Sequence, residues 1–118
     1  GWGHDVLDLL QPVDIKVEKV AYSAFYQTRL EFALKKAGID TLIVGGIVTN
    51  GGVASTVRDS HVRGLKTIVL TDGTAAFHKE SHQGAIASLS TVSAIATCEE
   101  AILLVEASST NNGHLEAV

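Results

Sequence analysis

Hydrophobic and polar positions repeat in two different periods along this chain, and the switches between those periods mark its elements. Asp5 to Leu10 carries a short apolar face that stops before Pro12, which predicts one or two helical turns. Ile15, Val17 and Val20 alternate with Lys16, Glu18 and Lys19 at strand period, and the irregular Tyr22-Ser-Ala-Phe25 follows, so a strand runs into a loop. Thr28-Arg-Leu-Glu31 has capping-box spacing. Behind it Leu30, Ala33, Leu34 and Ala37 keep helical spacing, Lys35 and Lys36 suit a last turn, and Gly38 suits a left-handed exit.

Thr41 to Val44 is a continuous apolar, β-branched run closed by Gly45-Gly46, the pattern of a strand buried on both faces and hence of a parallel sheet. A helix with Val53, Val57 and Val62 on its buried side is predicted next, ending at Gly64. Lys66 to Thr71 reads as a second fully buried strand, and Asp72 to Ser81 as a polar connection. Ile86, Leu89 and Val92 line up on a third helix, Ala94 to Thr97 makes a short strand, and Thr97-Cys-Glu-Glu100 caps a last helix ending near Val105. Strands alternating with helices across short loops predict βαβ units in an open α/β layer fold. Ala107 to Val118, rich in Ser, Asn and Gly, reads as a mobile or partner-docked tail.

Composition narrows the possible partners. With 118 residues and 46% hydrophobic positions the chain suits a single packed core. A net charge of −4 without a basic cluster argues against nucleic acid, and no apolar run approaches the roughly 20 residues of a membrane span. Cys98 is the only cysteine and no signal-like segment opens the chain, which together predict a reducing cytoplasm. There is no Met, and Gly1 to His4 reads as the middle of a loop, so the chain is expected to be part of a longer polypeptide. A half sheet of this kind would leave a strand edge and an apolar face open. A companion N-terminal segment or a homo-oligomer is expected to cover them.

Ligands of open parallel sheets bind beyond the carboxyl ends of the strands, which directs attention to Lys19 to Phe25, Gly45 to Val53 and Asp72 to Phe77. Gly51 and Gly52 stand where backbone N–H groups can meet an anion or a developing oxyanion, though turn geometry alone also asks for glycine there. Gly46-Ile-Val-Thr-Asn-Gly-Gly52 is neither a dinucleotide fingerprint nor a Walker loop. His78 and His82 are spaced i, i+4, but no neighbouring Cys and no H-E-x-x-H pattern supports a metal. Both read as polar residues of a helix start, and no metal or other cofactor is expected.

Three stretches carry a resemblance. Val17-Glu-Lys-Val-Ala-Tyr-Ser-Ala-Phe25, Gly38 through the Gly45-Gly46 and Gly51-Gly52 pairs to Asp59, and Thr71-Asp-Gly-Thr-Ala-Ala-Phe77 together resemble the second half of the isochorismatase-like hydrolase superfamily. The likeness runs in unbroken order from about Gly1 to Leu104. It implies a Rossmann-like open parallel sheet flanked by helices, with the family's N-terminal strands absent from this chain. Residues 1–106 then form part of such a domain and 107–118 a polar C-terminal tail. It also implies a small-molecule substrate, a cis peptide at Ile47–Val48, and oxyanion donors at the Val48 and Gly52 amides.

The family's cysteine enzymes work with an Asp, a Lys and a Cys. The resemblance places the Lys at Lys19, in K-x-x-x-S-A-F, where an inward-facing ammonium would be partly desolvated and would support an anionic intermediate. It places the Cys at Gly52, so the nucleophile position is vacated and the acyl-enzyme route is closed. No D-x-Q motif, the family's source of the Asp, precedes Lys19. Cys98 lies on a later segment and reads as a small buried residue near a helix start. Isochorismatases proper also carry glycine at the vacated position and cleave a vinyl ether by protonation and water attack. By contrast, Thr49-Asn-Gly-Gly-Val-Ala-Ser-Thr56 is closer to the T-N-x-C-V-x-S-T of the amidohydrolases. Thr49, Tyr22 and Phe25 complete the expected substrate site, the last two as an apolar wall or as plain core. Two functions stay open: hydrolysis of a small anionic or amide-like molecule without a cysteine nucleophile, and an inactive relative that binds a small ligand or serves as an oligomeric scaffold.

Overall fold

The computed structural model describes residues 19, 21–110 and 115–117. The elements run α1 (Leu30–Lys36), β1 (Thr41–Ile47), a π-helical turn (Thr49–Val53), α2 (Ala54–Val62), β2 (Lys66–Ala75), α3 (Lys79–Leu89), β3 (Ala94–Ala96), α4 (Cys98–Thr110) and β4 (Leu115–Ala117). All pairings are parallel, in the order β3-β2-β1-β4. The predicted helical turns at Asp5 to Leu10 and the strand at Ile15 to Val20 lie outside the described residues.

Thr41 to Val44 of β1 is buried at every position, as a strand covered on both faces must be. Leu42 and Val44 point to one face, where they join Val69 of β2, Leu34 of α1, Val57 of α2, Leu89 of α3, Val53 and Phe25 in one apolar core. Ile43 points the other way and is also buried. β2 departs from the expected fully buried strand. Thr67 and Val69 are buried, but Ile68 and Leu70 are only half-buried and Lys66 is exposed, because α4 packs on β2 and β3 with Ala101 buried while Ile102, Leu103, Leu104 and Val105 stay exposed.

Both central strands run further than the hydrophobic pattern indicated. β1 continues through Gly45 and Gly46 to Ile47, and β2 through Asp72 to Ala75, because Gly46 and Ile47 still pair with Thr74 and Ala75. The register slips in between: Val44 faces Val69 and Gly46 faces Thr74, so the β2 stretch Leu70 to Gly73 stands against Gly45 alone. A Cβ on Gly45 would stand 3.1 Å from the Gly73 carbonyl oxygen, which explains a residue without a side chain at that crossing.

Gly38 (φ +72°) and Gly64 (φ +77°) end α1 and α2 in the left-handed conformation, as their positions predicted. Val62 is exposed rather than buried, since it lies about 140° around the helix from Val57 and the inward line is Val53, Val57 and Ser60. Ser60 is fully buried with its hydroxyl 2.7 Å from that of Thr67. The Thr28–Glu31 capping box does not close. Thr28 Oγ1 accepts the Leu30 N–H, but the Glu31 carboxylate turns to Arg63 and Lys35, cations that hold its carboxyl below the usual range. At α4 the predicted box is complete: Thr97 N–H donates to Glu100 Oε1 at 2.9 Å and Glu100 N–H to Thr97 Oγ1 at 3.1 Å. Val92 lies just past α3 yet packs on the core.

The stretch from Ala107 onward is more structured than its composition suggested. α4 runs to Thr110, and Leu115–Ala117 pairs with Thr41–Ile43, so backbone hydrogen bonding on the open edge of β1 holds a segment of low apolar content. No helix among the described residues is long and apolar enough to cross a membrane.

Candidate active site

The carboxyl end of β1 passes directly into the π-helical turn that starts α2. Val48 is extended, the Ile47–Val48 peptide is cis as the resemblance implied, and the Val48 carbonyl accepts the N–H groups of Gly51 (3.0 Å) and Val53 (3.2 Å). Val53 is buried in the core, which fixes the far end of the turn. Gly52 is buried as well.

The segment from Lys19 to Phe25 comes to this turn from the other side. Two anchors hold it: Phe25 sits in the core under the Arg63 guanidinium, 4.7 Å from ring centre to Cζ, and the Ala24 N–H donates to Thr56 Oγ1 of α2 at 2.9 Å. Lys19 Nζ then donates to the Tyr22 carbonyl at 2.7 Å. The consequence appears at residue 52. A Cβ built there would stand 3.0 Å from Lys19 Nζ, 3.2 Å from the Tyr22 carbonyl oxygen and 3.7 Å from the Ile47 carbonyl oxygen. The ammonium therefore lies where the first atom of a residue-52 side chain would point.

Of the residues expected to form the site, Lys19, Tyr22, Val48 and Gly52 are brought together. Three expectations need correction. Phe25 is core rather than pocket wall, because its ring is the anchor of the loop. Thr49 does not present its hydroxyl to a substrate: it is fully buried and its Oγ1 lies 2.7 Å from His82 Nδ1. Lys19 is exposed rather than partly desolvated. The exposed side chains of Tyr22, Ile47 and Phe77 give that end of the sheet apolar surface.

Cys98 stands at another helix start. Its N–H donates to Asp72 Oδ1 at 2.7 Å, and the thiol's hydrogen bond to the same carboxylate pushes the thiol pKa up, while Asp72 is held below its ordinary value by the Cys98 N–H and thiol. A nucleophilic cysteine needs the opposite shift. Among the described residues no group of His, Cys, Asp and Glu side chains is arranged to hold a metal ion. His82, expected only as a polar residue of a helix start, has a role its local sequence does not show: its Nδ1 meets Thr49 Oγ1 and its Nε2 lies 3.1 Å from the Thr71 carbonyl. Its partners lie 33 and 11 residues away along the chain, beyond the reach of the i, i+4 spacing to His78.

A parallel α/β sheet with its candidate site beyond the carboxyl ends of the central strands places the molecule among Rossmann-like domains. Residues 1–101 match the isochorismatase domain, and the chain belongs to that family. It is 40% identical over 108 residues to ureidoacrylate amidohydrolase RutB of Methylobacterium radiotolerans, covering 86% of this chain and 42% of that protein. It is also 40% identical over 76 residues to nicotinamidase 3 of Arabidopsis thaliana, covering 64% of this chain and 38% of that protein. The chain thus spans less than half the length of these relatives. The crystal structure of an isochorismatase-like hydrolase from Alkaliphilus metalliredigens superposes with a TM-score of 0.82 at 35% identity, covering 88% of this chain and 58% of that one. A cysteine hydrolase from Pseudomonas syringae gives 0.81 at 29% identity, covering 87% and 55%.

Proposed function

We propose that the protein is a hydrolase for a small anionic or amide-like molecule, working without a cysteine nucleophile. The observation that carries this reading is the position of Lys19 Nζ, 3.0 Å from where a Cβ of residue 52 would stand. An ammonium there can take up negative charge that develops on a carbonyl or enolate oxygen, which is electrostatic stabilisation of the transition state. With glycine at 52 no acyl-enzyme forms. Bond cleavage instead proceeds by protonation of the substrate and attack of water, the general acid being an aspartate supplied from outside the 118 residues, as the family resemblance implies. The names of the relatives supply the amide side of the substrate class, and the glycine supplies the vinyl-ether side. The same reading places the protein in the cytoplasm and as a homo-oligomer, supported by the single cysteine and by the exposed Ile102 to Val105 surface of α4.

Gly52 also favours a second reading, in which the vacated turn binds a small anion and catalyses nothing. Three assays on the full polypeptide separate the two: pyruvate release from isochorismate, ammonia release from a panel of small amides, and calorimetric titration with the same compounds. The hydrolase reading expects turnover on at least one compound. Binding without turnover on all of them would establish the second.

A further inference from the structure

We propose that His82 is a positioning residue for this site, holding the π-helical turn that carries Gly52 against the carboxyl end of β2. The inference rests on the hydrolase reading for its kinetic readout only. His82 is half-buried on α3, and each of its ring nitrogens has a partner on a different element: Nδ1 on Thr49 Oγ1 at 2.7 Å, Nε2 on the Thr71 carbonyl at 3.1 Å. A carbonyl can only accept, so Nε2 carries the proton, and in the neutral ring Nδ1 accepts the Thr49 hydroxyl. With both nitrogens engaged inside the protein, and with His78 exposed at the N-cap of α3, the pair is not a metal site.

The two partners are what give the bridge a consequence. Thr49 is the first residue of the turn and is fully buried, so without Nδ1 its hydroxyl would be left without that partner in a site water does not reach. Thr71 lies in the stretch of β2 where the register with β1 slips, between the Val69 and Thr74 pairings. Pairing with β1 is interrupted there, and the imidazole supplies a link from α3 to that stretch of β2 and to the turn that follows β1. The turn held in this way presents Gly52 to Lys19. A displacement on the order of 1 Å at such a site is enough to lower a rate by about 10²-fold.

The test compares the full polypeptide with His82→Leu, which keeps bulk without hydrogen bonds, and His82→Gln, whose amide offers one donor and one acceptor at nearly the ring's spacing. Nitrogen-15 spectra of the wild type should show a bare Nδ1 and a protonated Nε2; the reverse tautomer would overturn the proposal. In His82→Leu, amide exchange at Gly51, Gly52 and Val53 should accelerate roughly tenfold or more with α1 unchanged, and His82→Gln should restore protection. On whichever compound is turned over, kcat should fall about tenfold or more in His82→Leu with KM within about twofold, again recovering in His82→Gln. A uniform rise in exchange across α1 and the turn, with kcat per folded molecule unaltered, would reduce His82 to a general stabiliser and sink the idea. If no compound is turned over even by the wild type, the hydrolase reading fails by itself, and the exchange pattern alone still decides for or against the positioning role.

Discussion

Among the helices that follow parallel strands in this molecule, α2 after β1 and α4 after β3 have first turns that are completed differently. At α4 the protein supplies its own anions: Glu100 closes the box with Thr97, and Asp72 accepts the Cys98 N–H. Carboxylates there oppose the positive end of the helix dipole. At the turn leading into α2 there is no side-chain cap and no acidic residue in the first turn, and the charge at residue 52 is the Lys19 ammonium. Among the described residues the second start therefore carries a cation and no acidic partner in its first turn, the opposite of the start at α4, and under the proposed hydrolase reading it is the one suited to a substrate anion or a developing oxyanion. The contrast also explains the cysteine. Cys98 is placed at the compensated start, where the neighbouring carboxylate keeps the thiol protonated, while the open start has only glycine.

The largest effect expected from this contrast is on Lys19. Lys19→Ala removes the positive charge that stands beside residue 52, and turnover should fall by about 10²-fold or more, the scale of losing one preorganised donor, with little change in thermal stability because the side chain is exposed. Steady-state kinetics with a parallel melting curve reads both. Turnover that survives the change would mean that the open start is not the site.

A smaller effect tests the two starts against each other as thiol environments. Gly52→Cys puts a thiol beside the ammonium at a helix start, and a thiol pKa lowered by one unit there reacts roughly tenfold faster at neutral pH. The Lys19 stem can swing away from a Cβ at 3.0 Å, and the Tyr22 carbonyl at 3.2 Å must give by a few tenths of an ångström. Iodoacetamide followed by peptide mass spectrometry should label the introduced thiol about tenfold or more ahead of Cys98. Labelling of Cys98 in the wild type should leave any turnover unchanged. Equal rates at the two positions would erase the electrostatic distinction.

How much of this was legible in advance depended on the range of the interactions. Local features were readable: the glycine exits at 38 and 64, the buried run at Thr41 to Val44 and the Thr97–Glu100 box are all set by residues within a few positions of each other. The resemblance brought Lys19 and Gly52 to one place, which no periodicity contains. What stayed hidden was set between elements. Glu31 left its cap for Arg63, 32 residues away, and Thr49 and His82, 33 residues apart, found each other across the end of the sheet. Strand ends were also underestimated, because Gly45-Gly46 and Asp72-Gly73 look like turns until two such segments lie side by side and pair.

Next in size is the cap itself. Thr97→Ala removes the hydroxyl that accepts the Glu100 N–H at the compensated start, and loss of such a cap costs about 1 kcal/mol of stability. Denaturant unfolding should show the drop, with turnover per folded molecule unaltered. A comparable loss of turnover would imply that the two starts are coupled rather than independent.

The smallest effect is the part of the pH dependence that the compensated start contributes. Asp72 and Glu100 both have folded pKa values below the ordinary carboxylate range of about 4, through hydrogen bonds from Cys98 and from Thr97 respectively. A carboxylate whose pKa is depressed on folding contributes stability that is present above the unfolded value and is lost as pH falls through the folded one. Thermal unfolding of wild type and Asp72→Asn should therefore differ near neutrality and converge as pH drops below about 4. The thiol moves the other way: its pKa is raised by Asp72, so Asp72→Asn should make Cys98 alkylate faster at alkaline pH. A melting difference that holds constant from pH 7 down to about 3, together with an unchanged alkylation rate, would show that Asp72 does not compensate this helix start electrostatically, and the contrast with the open start would then rest on Lys19 alone.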